Sequence, residues 1–135
     1  MARALKIIGF ILSIVCLGAI VYLSFAGNVR VPEALASKDK LGHFLAYTAL
    51  GFLFFLSFCS FSGTGFFRRN ILSLLGAFLL SFACGYAIEL CQPSFGRHFE
   101  LLDLAADAAG SLAGVVLCCL CVVCLNAIER RRHVR

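Results

Sequence analysis

Residues 71–91 read ILSLLGAFLLSFACGYAIELC, an apolar run whose one charge, Glu89, stands near its end. A bilayer core takes about 20 helical residues to cross, so this run is long enough to span one. Three further runs match it: Leu5 to Ala26, Leu41 to Phe61 and Leu104 to Ile128. The whole chain of 135 residues is 61% hydrophobic and 14% charged, against roughly 45–50% and 25% in soluble domains. That balance excludes an ordinary soluble domain, and a chain so apolar is not disordered. The runs are continuous and rich in Leu and Phe, whereas barrel strands alternate over about ten residues. The sequence therefore predicts an all-α fold, a four-transmembrane-helix bundle forming a single membrane domain over residues 1–135, with helices at about 5–26, 41–61, 71–91 and 104–128. The first run has Arg3 and Lys6 ahead of it and Ser24-Phe25-Ala26 at its end, flanks a signal peptide also carries. It is longer than the roughly 7–15 residues of a signal core and reads as a retained helix.

The Lys and Arg residues set the expected orientation, because they favour the cytoplasmic side. Eight (Arg3, Lys6, Arg68, Arg69, Arg130, Arg131, Arg132 and Arg135) fall on one side of this topology and four (Arg30, Lys38, Lys40 and Arg97) on the other. Both termini are accordingly expected in the cytoplasm. Of the acids, only Glu129 lies with the basic group; Glu33, Asp39, Glu89, Glu100, Asp103 and Asp107 belong to the outer side. The Arg130–Arg135 cluster reads as a contact with anionic headgroups of the lipid bilayer, and no nucleic-acid partner is expected. The loops hold turn formers, Pro32 in the first outer loop, Pro93 and Gly96 in the second, and Ser62-Gly63-Thr64-Gly65 in the inner one. Neither a repeat nor a domain boundary is visible.

Function is written where polar residues enter the apolar runs. Asp39, His43, Tyr47 and Gly51 recur every four residues on the second helix and form one stripe. Gly85, Glu89 and Gln92 share a face of the third, and Asp103, Asp107, Gly110 and Gly114 a face of the fourth. All three stripes reach the outer end. A charge exposed to hydrocarbon costs roughly 2.5–3.5 kcal/mol, so these side chains are expected to face one another and water. The reading is an outward-open polar pocket between helices two, three and four, lined by His43, Tyr47, Glu89, Gln92, Asp103 and Asp107. Asp39 stands at its entrance, and Lys40 and Arg97 at its rim. Plainer roles exist for parts of this set: close helix packing for Gly110 and Gly114, helix capping for Asp103, and a structural ion pair of Glu89 with Arg97 or Lys40. The eight cysteines lie mostly inside the spans and read as small hydrophobes, including the Cys118-Cys119-x-Cys121-x-x-Cys124 cluster, which has no charged partner nearby.

The string Asp39-Lys40-Leu41-Gly42-His43-Phe44-Leu45-Ala46-Tyr47-Thr48-Ala49-Leu50-Gly51, with Glu89-Leu90-Cys91-Gln92, Arg97, Asp103 and Gly110-x-x-x-Gly114, resembles the VanZ-like family of small bacterial membrane proteins. The likeness spans about Asp39 to Gly114. It implies a multi-pass protein of the bacterial inner (cytoplasmic) membrane acting in cell-envelope processes or in tolerance to glycopeptide antibiotics of the teicoplanin type. It supplies a class rather than a reaction. The family commonly carries Asn where this chain has Asp107, which changes the charge of that position.

Two classes of function follow. In the first, the pocket binds an envelope, lipid-linked or glycopeptide ligand, with Asp39, Lys40, His43, Tyr47, Glu89, Gln92, Arg97, Asp103 and Asp107 as contacts. In the second, a membrane-embedded enzyme uses Glu89 or Asp107 as base and His43 as acid, with Arg97 and Lys40 gripping a phosphate or carboxylate. Phosphate-loop, nucleophile-elbow and zincin motifs are all missing. The acids and His43 include donors suited to a divalent cation, but no ligand spacing enforces one, and neither a metal site nor a cofactor is assigned. An ion path is disfavoured, since the inner halves of helices two to four carry no ionisable residue. The orientation is testable directly: a cysteine placed at Ser94 should react with a membrane-impermeant thiol reagent added outside intact cells. Labelling only after the cytoplasmic face is opened would invert the topology.

Overall fold

The computed structural model describes residues 2–25, 36–61 and 65–133, side chains at 36–38, 129, 132 and 133 excepted. It is all helical: α1 (Ala2–Phe25), α2 (Ala36–Phe58), α3 (Phe66–Cys91), a short 3-10 turn (Gln92–Phe95) and α4 (Leu101–His133). No strand occurs among the described residues. All four α-helices are long and apolar enough to cross a membrane, and their outer faces carry exposed side chains such as Ile14, Leu72 and Leu120. Residues of that kind, spread over every helix, suit contact with lipid chains.

Several helix ends differ from those of the apolar runs. α2 begins at Ala36, α3 at Phe66 and α4 at Leu101, and α4 continues to His133, because charged flanks such as Asp39-Lys40 and Arg68-Arg69 can extend a helix beyond its apolar span. α2 stops earlier than its apolar run, at Phe58. There Asn70 accepts the Ser60 N–H at 2.6 Å and donates to the Ser60 carbonyl at 3.0 Å, which holds the chain out of the helix. Pro32, Arg30, Glu33 and Arg135, the Ser62–Thr64 part of the inner turn, and the side chains of Lys38, Glu129 and Arg132 lie outside what the structure describes.

Direction follows from which residues meet. Lys40, His43, Phe44 and Thr48 lie against Glu100, Asp107, Gly110 and Gly114 in turn, so α2 and α4 are parallel. Ser81 bonds Ser111 and Glu89 bonds Glu100, so α3 is antiparallel to them. α1, which meets Ser57 through Gly9 and Arg97 through Ser24, runs antiparallel to α2. The acids at the starts of α2 and α4 and the end of α3 thereby share one end of the bundle, and Arg3, Lys6, Arg68, Arg69, Arg130 and Arg131 lie toward the other.

The α2–α4 pair is the tightest contact of the bundle. A Cβ on Gly110 would overlap the Phe44 carbonyl oxygen, one on Gly114 the Thr48 carbonyl oxygen, and one on Gly51 would come within 2.5 Å of the Ser111 carbonyl oxygen. Backbone thus touches backbone, the approach that small residues permit between membrane helices. The core below contains Leu50, Phe55, Cys59, Val115, Cys118 and Val122. All eight cysteines are free thiols, and Cys59 and Cys118 are fully buried as small hydrophobes.

Gly114→Ala should therefore lower thermal stability in detergent, by about 1–3 kcal/mol as overpacking generally does. Gly76→Ala, where a Cβ meets nothing within 4 Å, should be neutral or slightly stabilising.

Candidate functional site

The acids gather where α2 and α4 begin and α3 ends. After Cys91 the chain turns through the 3-10 segment, with Pro93 in its first turn, where no N–H is needed. Gly96 adopts φ +77°, open to glycine without a steric penalty. The Arg97 N–H returns to the Gln92 carbonyl at 3.2 Å. This compact reversal puts Arg97 over the bundle and starts α4 within reach of the end of α3.

Two basic side chains hold the rim. Lys40 donates to Glu100 Oε2 at 3.2 Å and lies 3.4 Å from Asp103 Oδ1, a charge contact without hydrogen-bond geometry at Asp103. Arg97 lies 3.8 Å from Asp39 Oδ2 and donates to the Ser24 carbonyl at 3.3 Å. That carbonyl belongs to the last turn of α1, whose C=O groups lack helical partners. Arg97 thus joins α1 to α2 at the polar end.

Beneath the rim, His43 Nδ1 and Asp107 Oδ1 are 2.8 Å apart. Asp107 is buried, and Tyr47, buried beside it, lies near-parallel to the His43 ring at 6.5 Å. Gly85 makes the room for this: a Cβ there would stand 2.7 Å from Asp107 Oδ2 and 3.1 Å from the Tyr47 ring. Glu89, fully buried, accepts the Glu100 N–H through Oε2 at 3.2 Å, at the start of α4, where the helix dipole favours a carboxylate. Its Oε1, Asp107 Oδ2 and Gln92 Nε2 have no hydrogen-bond partner among the described residues. No ion pair joins Glu89 to Lys40 or Arg97 among those residues; both bases are engaged with other acids.

The residues expected to converge all lie at this end, in two compartments rather than one. A cavity of about 200 Å³ is lined by Ile20, Leu23 and Ser24 of α1, by Asp39, Gly42, His43, Ala46 and Tyr47 of α2, and by Arg97. It opens between α1 and α2, whereas the expected pocket lay between α2, α3 and α4. Glu89, Gln92, Asp103 and Asp107 do not line it; they are buried, with Asp107 directly behind His43. Sequence reasoning missed two contributions. α1 has no ionisable residue facing the site, so nothing in its pattern marked Ile20, Leu23 or Ser24. Glu100 was visible as an outer acid, but its roles, pairing Lys40 and presenting its N–H to Glu89, depend on the turn.

A family model described as VanZ/LLP1 matches residues 10–122. No curated protein and no solved structure matches the chain.

Because Asp103 is buried, Lys40→Met should lower the melting temperature by leaving that acid without its cation. Lys40→Arg should restore most of the loss, and Glu100→Gln, at an exposed side chain, should change little. Equal effects of Lys40→Met and Glu100→Gln would locate the stabilisation in the exposed pair instead.

Proposed function

The chain belongs to the VanZ/LLP1 family, and from that premise we propose that this multi-pass membrane protein binds an anionic, lipid-linked ligand of the cell envelope in the cavity between α1 and α2. The observation that carries the reading is the make-up of that cavity: Arg97, His43 and Asp39 supply its polar wall, and Ile20, Leu23 and Ala46 its apolar one. A headgroup bearing phosphate or carboxylate suits a guanidinium, which forks onto such groups, and the first carbons of a chain suit the aliphatic side. The volume, about 200 Å³, is below the roughly 300–1,000 Å³ of sites that enclose drug-sized ligands, so an entire glycopeptide is too large. Tolerance to teicoplanin-type antibiotics then arises through the envelope lipid that is held rather than through capture of the drug. With both termini cytoplasmic, as the Lys and Arg distribution favours, the cavity faces the outer side of the inner membrane.

One observation favours the enzymatic alternative. His43 lines the cavity and is held by Asp107 at 2.8 Å, an arrangement in which a carboxylate sets the tautomer and orientation of a general acid or base. In that reading Asp107 orients His43, and Glu89 is the further carboxylate.

Saturation with a polyprenyl phosphate should raise the thermal stability of the detergent-solubilised protein, by about 2.7 kcal/mol at 100 times Kd, and Arg97→Ala should abolish the rise. A wild-type protein unmoved by any phosphate- or carboxylate-bearing lipid would exclude the binding role. Turnover of such a lipid by wild type, lost in Glu89→Gln with binding retained, would decide for the enzyme.

A further inference from the structure

We infer that His43, Glu89 and Asp107 form a binding site for one divalent transition-metal ion, of the Zn²⁺ or Mn²⁺ kind, where α2, α3 and α4 meet. The inference rests on this triad and is independent of what the cavity binds. The three residues each offer a ligand atom, and these atoms lie within 4.8 Å of one another. His43 Nδ1 and Asp107 Oδ1, hydrogen-bonded at 2.8 Å, need to separate by only a few tenths of an ångström to reach the roughly 3.0–3.4 Å between neighbouring donors around an ion bound at ~2.1 Å.

The second observation concerns the oxygens themselves. Glu89 and Asp107 are 0% and 1% exposed, and each has one oxygen engaged and one without a hydrogen-bond partner among the described residues. Buried polar atoms are ordinarily satisfied, and the exceptions ask for an explanation. Two carboxylates within a membrane-spanning bundle are costlier still unless a cation compensates them. An ion of charge +2 balances both.

A second triad, Asp39, His43 and Asp103, also brings its ligand atoms together. Its acids already have cations, however: Arg97 lies by Asp39 and Lys40 by Asp103. The inner triad has neither Lys nor Arg among the described ion pairs, and its one basic side chain is His43 itself, against two carboxylates. The donor set narrows the ion. Imidazole favours Zn²⁺ and related transition metals, carboxylates favour harder ions such as Mn²⁺, and Ca²⁺ or Mg²⁺ sites are built from oxygen alone. His43 belongs to both the triad and the cavity wall, so the ion would stand directly behind the ligand-binding surface.

The test uses the full chain in detergent, stripped with EDTA and then given Zn²⁺ or Mn²⁺ alone. Elemental analysis after desalting should find about one ion per chain, and the melting temperature should rise with the ion. His43→Gln, Glu89→Gln and Asp107→Asn should each lower metal affinity at least tenfold, whereas Asp39→Asn should retain it. Wild type that takes up neither ion, or uptake that survives in the Glu89→Gln, Asp107→Asn double variant, overturns the site. Should the acid variants fail to fold, wild-type uptake and His43→Gln still decide. Arg97→Ala separates this inference from the lipid reading, because it should abolish the polyprenyl phosphate shift and leave metal content unchanged.

Discussion

The backbone contact between α2 and α4 is the constraint from which the rest of the bundle follows. Gly110 and Gly114 have no Cβ to hold the Phe44 and Thr48 carbonyls away, and Gly51 makes the reciprocal opening for Ser111. Membrane helices gain no hydrophobic drive from one another, since lipid is as apolar as their side chains, so close packing and interhelical hydrogen bonds have to hold them. Here both occur together: the glycine contacts, and the Ser81–Ser111 bond at 2.8 Å that ties α3 to α4. Once α2 and α4 touch in this register, His43 and Asp107 are neighbours by geometry, one turn above the first glycine.

The same register sorts the charges by depth. At the rim Lys40 and Arg97 meet Asp103, Glu100 and Asp39, and exposure leaves such pairs worth little for stability except where one partner, Asp103, is buried. Deeper, Glu89 and Asp107 have an imidazole, a backbone N–H and a helix start but no Lys or Arg. Two acids placed in a membrane bundle without Lys or Arg beside them are the observation on which the proposed metal site is built. That imbalance, more than any single residue, distinguishes this end of the molecule from the opposite one, where basic side chains accumulate and Asn70 closes the end of α2.

The compartments divide the chemistry. The cavity between α1 and α2 is amphipathic and accessible, suited to a headgroup with its chain; the triad behind it is largely buried and rich in carboxylate oxygens. His43 is the one residue in both. α1, which contributes no ionisable side chain to the site, is nonetheless a wall of the cavity, and Arg97 holds its last turn in place through the Ser24 carbonyl. In the proposed function this makes α1 part of the binding surface rather than a membrane anchor alone.

The length and continuity of four apolar runs determined the helical, membrane-spanning class, because crossing hydrocarbon leaves the backbone few options besides a helix. The spacing of Asp39, His43 and Tyr47, of Glu89 and Gln92, and of Asp103 and Asp107 likewise determined that polar groups would meet at one end, since helical periodicity alone aligns them. What periodicity leaves open is which helix each stripe touches and how closely. The tertiary structure decided that α2 and α4 shut against each other, that a cavity opens beside α1, and that Lys40 and Arg97 meet acids at the rim while Glu89 and Asp107 have neither Lys nor Arg among the described ion pairs. Those outcomes depend on a few ångströms of helix approach, set by glycines whose neighbours are some 60 residues away in the chain and therefore invisible to any local reading.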